Sequence, residues 1–202
     1  MRERFACHVF ASRMRVANTS DRSYSACIAR KCNGGSTIMT QTSYLQLIDV
    51  KRWADRGLYA AVTRNFDQLS PEEGSIMLRI LDHIHTVDRI FQHHLQGVPH
   101  TFRAARSENL PQLDALEKGA REVDDWYASY VAGLADGDFE QPVDFVFTSG
   151  KQARMRRSEI ILHVCMHGTY HRGNAGAVLQ LKGLTPSRDS VTDYLEDTNG
   201  AR

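Results

Sequence analysis

Ser70-Pro71-Glu72-Glu73-Gly74-Ser75-Ile76-Met77-Leu78-Arg79-Ile80-Leu81-Asp82-His83-Ile84-His85-Thr86-Val87-Asp88-Arg89-Ile90 is the stretch on which the fold turns. Ser stands at an N-cap, Pro at the first helical position and Glu at the third, a capping box whose side chains and backbone amides satisfy one another. The pattern predicts a helix running to about Gln96, with Gly97 as its stop. Its seam reads Ile76, Ile80, His83, Val87 and Ile90, alternating steps of four and three as one helical face requires. His83 is thus a polar residue written into the apolar stripe. His85 falls about 200° further round, with Asp88, Arg89 and Gln92, so the two histidines cannot serve one site.

Upstream, Leu45, Leu47, Ile48, Trp53, Leu58, Ala61 and Val62 predict a helix from about Thr42 to Phe66. Lys51, Arg52, Asp55 and Arg56 lie largely outside its apolar face. Downstream, Leu113, Leu116, Val123, Trp126, Tyr127, Tyr130 and Val131 give the buried set of a third helix over about Leu110 to Leu134, and Asp136-Gly137-Asp138 is its exit. Val143-Asp144-Phe145-Val146-Phe147 alternates roughly with period two, and Ser149-Gly150-Lys151 reads as a turn, which predicts a short β-hairpin. The last helix covers about Ser158 to Leu181, ends at Gly183, and has Pro186 beyond. The fold class is therefore all-α, a four-helix bundle with a short β-hairpin between helices 3 and 4.

The chain has 202 residues and a net charge of +1. Residues 1–38 carry seven Lys/Arg against two Asp/Glu, which leaves the rest of the chain 18 basic and 22 acidic residues. A mildly acidic body argues against a phosphate-backbone partner. No apolar run approaches the roughly 20 residues that span a bilayer. Residues 1–38 show no sustained apolar period. Their Arg- and Ser-rich character is superficially that of an organellar transit peptide, and an extension upstream of a true start at Met39 is the preferred reading. They are expected to be a disordered leader, with residues 39–202 forming the domain. Three of four cysteines, Cys7, Cys27 and Cys32, lie in the leader. Cys165 lies in an apolar helical stretch and reads as a small buried hydrophobe in a reducing, cytoplasmic setting.

The last helix carries His163, His167 and His171 at successive four-residue steps. Residues four apart stand on one face, so His167 and His171 can aim at a common point. A third imidazole from a facing seam, His83, would complete a set of three neutral nitrogen donors. Three protein ligands and an open position are the arrangement of a catalytic zinc-type site, and bundle cores build such sites from facing helices. The plain alternative is that each histidine is a hydrogen-bonded core residue. Cost favours the metal: three imidazoles facing an apolar interior need partners for both ring nitrogens, and one cation satisfies three of them. His163 has drifted about 80° from His171 and reads as second to the site or as surface. Glu159 could orient it or stay solvated. His93, His94 and His100 are expected to be exposed. Neither His163-Val-Cys-Met-His167 nor His167-Gly-Thr-Tyr-His171 carries the Glu that zinc-protease signatures need, so peptidase activity of that kind is not expected.

Leu81-Asp82-His83 with Val87-Asp88-Arg89-Ile90-Phe91, and Met166-His167-Gly168-Thr169-Tyr170-His171-Arg172-Gly173 later, resemble the DinB (damage-inducible) family of metal-dependent enzymes. Trp53-Ala54-Asp55 and Asp189 to Leu195 fit it too, so the resemblance spans about Tyr44 to Leu195. It implies a four-helix bundle, often dimeric, with a divalent metal (zinc, nickel or iron) on His83, His167 and His171. The wider superfamily includes enzymes that use low-molecular-weight thiols in S-transfer and isomerisation. The leading expectation is a thiol-dependent transferase acting on a small-molecule substrate. A metal-dependent hydrolase and a non-catalytic, stress-response metal-binding bundle are the alternatives. A carboxylate such as Asp49 or Asp55 in the fourth position would favour a structural metal. Arg172 is expected to anchor helix packing or a substrate carboxylate, and Asp88 and Arg89 to form structural pairs. Lys151, Arg154, Arg156 and Arg157 form a basic patch, read as solvated surface rather than a nucleic-acid site.

Overall fold

The computed structural model describes residues 37–199, with side chains from residue 40. Of the leader, residues 1–38, residues 1–36 lie outside the described residues, whereas Thr37 and Ile38 are the first residues of the opening helix. Helix α1 covers Thr37–Asn65 and passes through a 3-10 turn, Phe66–Gln68, into α2, Pro71–Gln96. The capping box is present: the Ser70 hydroxyl accepts the Glu73 N–H at 3.3 Å, and the Glu73 carboxylate accepts the Ser70 N–H at 2.8 Å. Gly97 ends the helix in the left-handed region, at φ 67°, where a Cβ is costly.

A long connection leads to α3, Leu113–Ala132. A 3-10 turn, Asp136–Glu140, then precedes strands β1, Pro142–Val146, and β2, Gln152–Arg156, which pair antiparallel with Phe145 opposite Ala153. Gly150, at φ 84°, turns the hairpin. Helix α4 covers Arg157–Leu181. Its first turn is closed by Glu159, whose carboxylate accepts the Arg156 N–H at 2.8 Å and also pairs with the Arg156 guanidinium. Glu159 is thereby committed to the helix end, not to His163. A short helix α5, Val191–Asn199, follows, in addition to the four helices expected from the sequence.

Helix α1 packs on α3 and α4, and α2 packs on the same two helices. Helices α1 and α2, neighbours in sequence, therefore stand across the diagonal of the bundle. The core has two apolar parts. One gathers Ile48, Phe91, Val123, Tyr127, Phe139, Phe145, Ile161 and Val164. The other gathers Leu58, Met77, Leu81, Leu116, Ala175 and Leu179. Along α1 and α4 a charged level separates them: Lys51, Asp55 and Arg172 are buried there, joined by the buried Asp88 of α2 and Asp124 of α3.

Two expectations about faces are corrected here. Lys51 and Asp55 are 2% and 4% exposed, not solvated. Of the predicted α2 seam, Val87 and Ile90 are buried, whereas Ile76 is 51% exposed; Met77, Leu81, Ile84, Phe91 and Leu95 complete the apolar face that meets the core. The buried face is wider than that seam because the carboxylates of Asp82 and Asp88 also lie in the core, with amide and ion-pair partners, and a hydrophobicity pattern scores them as surface. No helix among the described residues is long and apolar enough to cross a membrane.

Candidate metal centre

Helix α4 turns three kinds of side chain in three directions. Ile160, Ile161 and Val164 fill the core, Arg172 enters the charged level, and His167 with His171 faces α2. There they meet His83. The ring centroids are 4.8 Å apart for His83 and His167, 4.5 Å for His83 and His171, and 4.4 Å for His167 and His171. One ligand nitrogen from each lies within 4.8 Å of the others, and all three side chains are half-buried. His85 is not in this group, as its angular position required. Its ring instead packs against Gly119 of α3, where a Cβ would come within 2.7 Å of it.

The tautomer of His83 follows from its surroundings. Its Nδ1 lies 2.6 Å from the carbonyl oxygen of Ala105, which can only accept, so Nδ1 carries the proton and Nε2 keeps its lone pair. That Nε2 stands 3.1 Å from Nε2 of His167. Two nitrogens held by one ion at about 2.0–2.1 Å and a near-tetrahedral angle stand roughly 3.1–3.4 Å apart. The observed spacing fits that requirement. His167 Nδ1 is buried without a protein partner, so the polar contacts of this ring are concentrated at Nε2.

The charge states fit as well. Burial, reinforced by His171 and His83, pushes the His167 imidazole down to about 3; burial, then His83, brings His171 to about 4. Both rings are neutral donors at physiological pH, as metal ligation requires. The residues present therefore suit a divalent cation.

Neither carboxylate considered as a fourth ligand is free. Asp55 accepts from Lys51 at 2.8 Å and from Arg172 at 3.0 Å. Asp49 pairs with Arg52 at 3.4 Å. Lys51 also contacts Asp88 at 2.8 Å and Asp124 at 2.5 Å, and Arg172 reaches Asp189 at 2.7 Å. Despite burial, which pulls it down, the three carboxylates hold the Lys51 pKa well above its ordinary value. Arg172 is thus an anchor between α1, α4 and the segment before α5, as one of its two expected roles had it. Gly168 leaves room for this anchor, since a Cβ there would lie 2.8 Å from the Arg172 guanidinium.

His163 packs its ring 4.7 Å from Phe91 and 5.6 Å from His167, beside the three histidines without joining them. His94 is 9% exposed and stacks on Phe145 at 4.4 Å, and His93 and His100 are half-buried. The expectation that all three are exposed is corrected, because the α2–α3 connection and the hairpin fold over the end of α2. Cys165 is buried, and burial pushes its thiol up to about 12, far from nucleophilic. The arginines of the basic patch are matched by carboxylates: Arg154 with Asp144, Arg156 with Glu140 and Glu159, and Arg157 with Asp138. Sequence reading missed Ala105 and Asp82. A backbone carbonyl leaves no side-chain signature. Asp82 left only its place beside His83.

A profile of the DinB family matches residues 39–201. A solved structure, a DinB-like protein from Bacillus cereus ATCC 10987, superposes with a TM-score of 0.55 at 19% identity, covering 75% of this chain and 97% of that one. At that identity the likeness speaks for the fold. No curated protein matches the sequence. With a family profile matching nearly the whole described domain, this chain belongs to the DinB family.

Proposed function

We propose that this protein is a metal-dependent enzyme in which His83, His167 and His171 hold a divalent cation, zinc, nickel or iron, for thiol-dependent S-transfer. The observation that carries the reading is the convergence of three imidazoles from two helices, with no carboxylate among the described residues completing the group. A site with three protein ligands keeps a position for substrate, whereas a structural site is normally closed by four. Bound there, a divalent cation lowers the pKa of a water or thiol that it takes as ligand.

The chain's own residues supply position and an aromatic surround. The Ala105 carbonyl holds the His83 ring with Nε2 toward the other histidines. Phe91 and the ring of His163 form an aromatic wall on one side, and Tyr170 packs edge-on against His171 at 4.9 Å. A low-molecular-weight thiol is the proposed co-substrate, attacking an electrophilic small molecule. The family supports that choice, and the half-buried site supports a small ligand. Metal-dependent hydrolysis is the second reading, since the same three ligands serve it.

The test is metal content of purified protein by mass spectrometry, wild type beside His83→Ala, followed by turnover with thiols and electrophiles with and without chelator. About one equivalent of metal in wild type, lost in the variant, is expected. Turnover that needs thiol and stops on chelation supports transfer; turnover without thiol supports hydrolysis. Activity indifferent to chelation removes both.

A further inference from the structure

We infer that Asp82 is a positioning residue for the metal centre: it pins the α2–α3 connection so that the Ala105 carbonyl fixes the His83 ring. This rests on the reading of the three histidines as ligands. The connection, residues 97–112, has no helix or strand of its own. Something must hold it where it meets His83.

Asp82 is 0% exposed, and its carboxylate makes no ion pair among the described residues. Oδ2 accepts the Ser107 N–H at 2.8 Å, and Oδ1 accepts the Thr86 hydroxyl at 3.4 Å. A fully buried carboxylate is costly, and here its strongest bond goes to a loop amide rather than to a cation. Ser107 is also held from outside, where the Arg79 guanidinium donates to its carbonyl at 3.2 Å. Ala105 lies two residues earlier, with its oxygen 2.6 Å from His83 Nδ1.

Asp82 and His83 are consecutive on α2, so their side chains diverge by about 100°. The connection spans that angle and touches both. Asp82 fastens it, and Ala105 passes the constraint to the ligand. Partners of this kind set the tautomer and orientation of a ligating histidine, and their loss typically weakens metal binding about 10–100-fold. Asn at position 82 keeps an oxygen that can accept the Ser107 N–H, and its amide can donate to the Thr86 oxygen. Ala keeps neither.

Cobalt(II) affinity, measured by competition with a chromophoric chelator, is compared for wild type, Asp82→Asn and Asp82→Ala at matched thermal stability checks. Expected are a roughly 10–100-fold loss for Ala and a value within about threefold of wild type for Asn. Equal affinity in wild type and Ala, or an equal loss in both variants, overturns the proposal. A measurement without variants guards against a misfolded Ala protein. Because coupling is reciprocal, zinc binding must strengthen the clasp, so hydrogen exchange at Ser107 in wild type is expected to slow on zinc addition. Exchange there that ignores zinc overturns the inference. Wild-type protein that takes up neither cobalt nor zinc defeats the three-histidine reading instead, and the two failures are told apart.

Discussion

Replacing Lys51 by Met should destabilise the fold by about 3–5 kcal/mol near pH 8, and by less at pH 5. Met matches the length of Lys but carries no charge. The ammonium sits 2.8 Å from both Asp55 and Asp88 and touches Asp124. Each 2.8 Å contact has a gross attraction of about 6 kcal/mol at an effective dielectric constant of about 20, largely offset by desolvation. Removing the cation leaves three buried carboxylates with only Arg172 nearby, and an unpaired buried charge is what makes such a substitution expensive. For a domain of this size, the loss lowers Tm by about 6–20 °C.

The dependence on pH gives the prediction its signature. Burial pushes Asp88 up to about 6 and Asp124 to about 7, with Lys51 pulling both the other way. The unfolded chain releases these protons near 3.9, so the folded state holds them longer. Stability associated with the pair is full below that value and is lost as pH rises through about 6 and 7. Without Lys51 both carboxyls rise further, and the loss continues to higher pH. The gap between variant and wild type should widen by up to about 1.4 kcal/mol per pH unit for each extra proton retained. Urea denaturation of both proteins at pH 5, 6.5 and 8 measures it. A gap below about 1 kcal/mol at pH 8, or one that narrows as pH rises, refutes the account of the charged level.

Further outcomes are expected of helix α4. Cys165, with its thiol pushed to about 12, should resist a disulfide reagent at pH 8 in native protein and react fully in denaturant, as read by peptide mapping of that residue. Arg172→Lys should cost about 2 kcal/mol in chemical denaturation, because one ammonium cannot serve both Asp55 and the two oxygens of Asp189. Released from that anchor, the segment before α5 should be cut earlier by trypsin at Arg188.

The local features were legible for local reasons. The Ser70 cap, Gly97 stop and hairpin turn at Gly150 depend on residues within a few positions of one another, so composition and spacing contain the whole interaction. The facing of His167 and His171 is likewise a property of a single helix. The charged level was not legible, because Lys51, Asp55, Asp88, Asp124 and Arg172 come from four helices. Asp88 and Arg172 were legible only as members of pairs or anchors without named partners, and Lys51 and Asp55 as lying outside an apolar face; only their mutual pairing permits burial.

The sequence by itself determined the four bundle helices, their stops, the hairpin and the pair of histidines one turn apart, since backbone hydrogen bonding and helical periodicity act over short chain distances. Tertiary structure decided which helices are neighbours, placing α1 and α2 across a diagonal, and brought His83 to within 3.1 Å of His167. It also set the α2–α3 connection against Asp82 and His83. These last relations join groups far apart along the chain. They come from packing two apolar core parts around a charged level, and no local pattern encodes that geometry.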